Sequence, residues 1–110
     1  MTDTNADRIR ALNDEFRQSL RGGRVTMTSG IAPLAFEVQT AIIRRVQTFD
    51  AFNGHNDPHG EHDFGNFEER GHKVFWKIDC YDTTMTYGSE DAADPAKTTR
   101  VLTIMLADEY

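Results

Sequence analysis

Arg70-Gly71 lies between two segments of β-type sequence, Phe64–Glu69 and 72–82, and this is the feature that most narrows what the chain can fold into. A two-residue loop with a glycine available for positive φ signals a tight β-hairpin, and such a loop fixes the register of both strands. With Arg70 and Gly71 as the loop, Phe67 faces Val74, Gly65 faces Trp76 and Asp63 faces Ile78 on one side of the ribbon. On the other side Glu68 meets Lys73, Phe64 meets Lys77 and His62 meets Asp79. A slip of one residue would exchange the two faces, so every pairing stands or falls with the loop.

The remaining elements follow from periodicity. Thr4 with Asp7 three residues on is a capping signal, and Ile9, Leu12, Phe16 and Leu20 then recur at helical spacing until Gly22-Gly23 stops the helix. Arginines 8, 10, 17 and 21 fall outside that stripe and read as a solvated polar face. Residues 24–28 alternate as a short strand with Val25 and Met27 inward. A second helix runs from about Leu34 to near Asp50, with Val38, Ile42, Val46 and Phe49 on its apolar side. Residues 83–99 form a long connection that calls for a short helical turn or a mobile loop. Residues 100–106 are the most apolar run and read as a central strand buried on both sides. The sum is an α+β fold, a mainly antiparallel sheet of about four strands with two helices packed on one face. Its expected core includes Phe16, Val38, Ile42, Trp76, Ile78, Ile104 and Leu106, and the face carrying Phe75, Lys77, Asp79 and Tyr81 is expected to stay partly open.

At 110 residues the chain is expected to form one domain, 1–110. Its first residues are polar and acidic, and no apolar run approaches the roughly 20 residues that span a bilayer, so no membrane partner is expected and a cytoplasmic location is. A formal charge of −6 disfavours nucleic acid as a partner. The single Cys80 excludes an internal disulfide and reads as a small buried hydrophobe. Ser29 and Ser89 lack the context of a catalytic nucleophile.

The chemistry-bearing side chains crowd into residues 53–65, which hold three of the four histidines. The spacing of His55, His59 and His62 could supply three imidazoles to a divalent transition metal such as zinc, with Asp57, Glu61, Asp63 or Asp79 as a further ligand, base or orienting partner. Pro58 and Gly60 exclude a regular helix and supply the bend that convergence needs. The competing reading is structural and weighs more. Asn, Asp, Gly and Pro favour turns, and the polar side chains of such a loop commonly cap its own backbone.

The stretches Asn56-Asp57-Pro58-His59-Gly60-Glu61-His62-Asp63-Phe64-Gly65, Val74-Phe75-Trp76-Lys77-Ile78-Asp79 and Thr99-Arg100-Val101-Leu102-Thr103-Ile104-Met105-Leu106-Ala107-Asp108-Glu109-Tyr110 together resemble an uncharacterised bacterial family, domain of unknown function 3768. The resemblance implies a bacterial origin and members carried on plasmids and other mobile elements, and it brings no activity, cofactor or partner. It also implies an aromatic residue in relatives where Cys80 stands, which speaks against a thiol role. Two function classes follow. One is a non-catalytic interaction or accessory protein whose open sheet face and acidic 83–99 connection bind another protein. The other is a small metal-dependent hydrolase built on loop 55–63.

Overall fold

In the computed structural model, residues 4–110 are described; Met1, Thr2 and Asp3, part of the polar opening segment, lie outside them. The elements in chain order are α1 (Asn5–Ser19), β1 (Gly23–Met27), α2 (Phe36–Gln47), β2 (Phe64–Glu69), β3 (His72–Tyr81) and β4 (Thr99–Leu106), with single 3₁₀ turns at Pro95–Lys97 and Ala107–Glu109. The strands form one sheet of order β1-β4-β3-β2, in which β1 runs parallel to β4 and the other pairs are antiparallel. The expected α+β class with a mainly antiparallel four-stranded sheet is what the chain adopts.

The hairpin forms in the register set by Arg70-Gly71. Both loop residues have positive φ, 51° and 83°, as a turn matching the strand twist requires, and Gly65 pairs with Trp76 and Phe67 with Val74. Thr4 caps α1 reciprocally, its hydroxyl accepting from the Asp7 amide at 3.0 Å while its own amide donates to the Asp7 carboxylate at 3.1 Å. The 83–99 connection holds the helical turn Pro95–Lys97 and a bridge between Tyr81 and Gly88.

Val74, Trp76 and Ile78 of β3 and Leu102 and Ile104 of β4 share one buried cluster with Phe16 of α1, Ile31, and Ile42 and Val46 of α2. Two expected core members, Val38 and Leu106, only pack against its edge and stay half-buried. Val25 points to the expected side but remains 38 % exposed, because β1 is an edge strand with a neighbour on one flank only. A larger correction concerns α1. Its buried residues are Ile9, Asn13, Phe16 and Arg17, so two polar side chains occupy the inward stripe, whereas Leu12 is half-buried. Arg17, expected on a solvated face, is 1 % exposed.

Alternation places Phe64, Phe75, Lys77, Asp79 and Met105 on the opposite face of the sheet. There the rings of Phe64, Phe75 and Tyr110 meet edge to face, with centroids 5.4 to 5.6 Å apart.

Gly65 is required by its neighbour. A Cβ at this position would lie 2.5 Å from the Trp76 indole nitrogen and 2.8 Å from a Phe49 ring carbon, both in packed surroundings. Gly65→Ala is therefore expected to lower stability by about 1–3 kcal/mol, as overpacking does. Urea denaturation checks this, and an unchanged midpoint would show that the indole has room to move.

Candidate functional site

The His-rich loop is built first by its own turn residues. Asn53 Oδ1 accepts from the His55 and Asn56 amides at 2.8 and 3.2 Å, and Asn56 Oδ1 in turn accepts from the Asn53 amide at 2.9 Å. Asp57 Oδ1 then accepts the His62 amide at 3.0 Å, which ties the second bend across Pro58 and Gly60. These are the local side-chain caps that favour an irregular but fixed backbone.

A second set of contacts comes from α1, where positions three and four residues apart face the loop together. Arg10 donates to the Gly60 carbonyl at 3.0 Å and Asn13 to the Glu61 carbonyl at 2.9 Å. Asp14 accepts from His62 Nδ1, with its two oxygens 2.9 and 3.1 Å away. Asp14 also pairs with the Arg17 guanidinium at 3.0 Å, and Arg17 in turn donates to the carbonyls of Val46, Gln47 and Phe49 at 2.8, 3.3 and 3.1 Å. Those carbonyls belong to the end of α2 and the residues after it, where helix carbonyls lack partners of their own. One buried arginine thus caps α2 while its carboxylate partner reaches out to the loop.

His62 is the most constrained side chain of the loop. Its φ is 53°, an uncommon conformation for a residue with a Cβ. Its ring stacks on Phe52 at 3.7 Å with an interplanar angle of 4°. Nδ1 faces Asp14, and Nε2 lies 3.6 Å from Asp57, whose side chain is 6 % exposed. An open concavity of about 360 Å³ borders this ring and is lined by Asp14, Arg17, Gln18, Phe49, Asp50 and Phe52 as well.

The expected contact between His62 and Asp79 does not form. The pairing ladder ends at Phe64, and the left-handed backbone at His62 turns its ring toward α1 and Phe52, on the Trp76 side of the sheet. Asp79 is on the other face, paired with Lys77 at 3.1 Å. The three imidazoles expected to converge are also apart in role: His55 and His59 are exposed, and His62 is held by two carboxylates. Among the described residues no three His, Cys, Asp or Glu side chains are gathered as a metal-binding group. Both ring nitrogens of His62 face carboxylates, so the geometry suits an oriented, bridging imidazole better than a base turned toward a substrate.

Asp57, His59, Glu61 and Asp63 do lie within electrostatic reach of one another. Burial, then the neighbouring Asp63 charge, raises the Glu61 carboxyl above its ordinary value of 4.5. Burial is the main cause that raises Asp63 above 3.8, with a backbone hydrogen bond opposing it and the Asp57 charge adding to it. Cys80 is raised by burial and is a poor nucleophile, in keeping with its place beside the core.

Asp14, Asn13, Arg17 and Phe52, which organise this region, carry no sequence signal beyond the i, i+3 charge pair of Asp14 and Arg17, which any solvated helix can show.

A carboxyl raised by folding holds a proton that the unfolded chain releases, so the folded state gains stability as pH falls from neutral through the raised value. Asp63→Asn is accordingly expected to raise the melting temperature at pH 7, and its advantage is expected to shrink as pH falls through the raised value and to vanish only well below the ordinary value of 3.8, where the wild-type group is protonated in both states. Asp7, Asp82 and Glu109, lowered mainly by hydrogen bonds, act in the opposite sense below their ordinary values, but equally in both proteins. Paired thermal melts across pH check this; equal melting at pH 7 would mean that Asp63 is solvated after all.

No curated protein and no solved structure matches the chain. No helix among the described residues is long and apolar enough to cross a membrane. A family model described as protein of unknown function (DUF3768) matches residues 27–109, which takes in α2, the His-rich loop and β2 to β4, and begins at the last residue of β1. With that share of its length matched, the chain belongs to the DUF3768 family of proteins of unknown function.

Proposed function

We propose that this chain is a non-catalytic interaction domain that binds another protein through the sheet face opposite Trp76, in an accessory role of the kind served by factors carried on mobile elements. The observation that carries this reading is the aromatic group Phe64, Phe75 and Tyr110, with Tyr110 73 % exposed on a sheet face whose other side is filled by the core. Aromatic residues of this kind are enriched at the centres of protein interfaces. The half-buried Lys77–Asp79 pair beside them offers a polar rim, and the charge of −6 favours a partner with cationic character. The carboxylates facing both His62 nitrogens, with Nδ1 bonded to Asp14, support a binding role over a catalytic one.

The test is a photo-reactive residue placed at Asn66 or Tyr110 on this face, with Phe36, 80 % exposed on α2, as the control position. One discrete crosslinked protein at the two sheet positions and none at the control is the expected outcome. Equal labelling at all three, or none at Asn66 and Tyr110, overturns the assignment.

A second reading, a small metal-dependent hydrolase on loop 55–63, is favoured by the raised Glu61 and Asp63 carboxyls, since a divalent cation would relieve the crowding of negative charge with Asp57. His55, His59 and His62 would assist only after the loop rearranges. Zinc, manganese or nickel is then expected to raise the melting temperature of the wild type and not of Asp63→Asn; identical responses would remove this reading.

A further inference from the structure

We infer that the cleft between the second half of α1 and the start of β4 binds a small organic monocarboxylate through the guanidinium of Arg100. Arg100 is only 4 % exposed, and its charge has no carboxylate within ion-pair distance among the described residues. Its Nε donates to Asn13 Oδ1 at 2.8 Å and its Nη2 to the Ala92 carbonyl at 2.5 Å, both neutral acceptors. The contrast with Arg17 is direct, because that buried cation is matched by Asp14 at 3.0 Å. A buried charge matched only by neutral groups is costly, and an anion brought to it recovers much of that cost.

The third guanidinium nitrogen, Nη1, makes no hydrogen bond among the described residues. It is also not sealed from solvent as the unpartnered Arg17 Nε and Trp76 Nε1 are. Arg100 lines a cavity of about 290 Å³ whose walls include Leu12, Phe16 and Pro95, with Glu15 and Arg21 also on the lining. This volume is at the small end of ligand sites, and apolar walls with one or two convergent polar groups are the usual make-up of such sites.

The lining charges choose the anion. Arg21 and Arg100 are positive and Glu15 is negative, which leaves a single positive charge for the ligand to meet. A dianionic phosphate would face Glu15 and gain nothing from the apolar wall. A carboxylate with a short aliphatic or aromatic body satisfies Nη1 with its oxygen and Leu12, Phe16 and Pro95 with its carbon frame. This site is separate from the sheet face assigned above to a protein partner.

The experiment is an amide NMR titration of the whole chain with benzoate and hexanoate, with benzamide and inorganic phosphate as the neutral and dianionic controls. Saturable shifts at Gly22, Thr98 and Arg100 are expected in about the millimolar range for the two carboxylates, and at least about tenfold weaker for both controls. Leu12→Trp, which fills the cavity from a half-buried position, is expected to weaken benzoate at least about tenfold. Should that variant fail to fold, the exposed Glu15→Gln serves instead and is expected to tighten benzoate several-fold at low salt. Shifts absent from these amides, phosphate or benzamide binding as well as benzoate, Leu12→Trp binding like wild type, or Glu15→Gln leaving the affinity unchanged would each overturn the proposal.

Discussion

The buried guanidinium of Arg17 is the interaction on which the helical layer and the loop both depend. It closes the carbonyl end of α2 from a different helix, lies over the rings of Phe52 and Trp76 at 5.5 and 5.2 Å, and holds Asp14 in position for His62. Burying a charge this deeply is least costly where hydrogen bonds and a counter-ion replace water, and here three carbonyls and one carboxylate do so. Its Nε stays unpartnered, so the arrangement is not free of cost. The aromatic faces offset part of that cost, because a desolvated guanidinium over a ring is attracted to it.

From this point the loop inherits its shape. Arg10, Asn13 and Asp14 hold Gly60, Glu61 and His62 from a rigid helix, while Asn53, Asn56 and Asp57 fix the turns from within. The result is an ordered strap along α1. Crowded histidines and carboxylates there serve mainly to fasten backbone. That use accounts for the left-handed His62: the strain of its backbone is held by the Nδ1 bond to Asp14, the Asp57 carboxylate near Nε2 and a stacked Phe52. The matched family span starts after α1, so the helix that supplies these fastenings precedes the part of the chain by which the family is recognised.

Local signals were legible in the sequence and long-range polar ones were not. Arg70-Gly71 set the hairpin register correctly because a two-residue turn allows little else, and the Thr4–Asp7 cap and the Phe16, Ile42, Trp76, Ile78 and Ile104 core followed from periodicity. The His62–Asp79 pairing failed two residues beyond the last ladder pair, where His62 leaves the extended conformation. Arg17 and Asn13 were hidden because their burial depends on Val46, Phe49 and Arg100, partners 29 or more positions away. A polar residue on a helix looks the same in sequence whether it meets water or a distant carbonyl.

The place of β4 in the sheet has a consequence for how the chain reaches this state. It follows the other three strands in sequence and is an interior one in space, and among the described residues β1 pairs with β4 alone. Gly23 pairs with Arg100, and Arg100 with Asn13 across 87 positions, so the earliest elements wait for the latest before either sheet edge or helix face is complete. Loops of that length are slow to close. While the chain is being made, the hairpin can form by itself, but the apolar side of β3 and the lone strand β1 stay uncovered until β4 emerges. Folding of this molecule is therefore a late and largely all-at-once event, with its greatest exposure to wrong partners just before the final strand arrives.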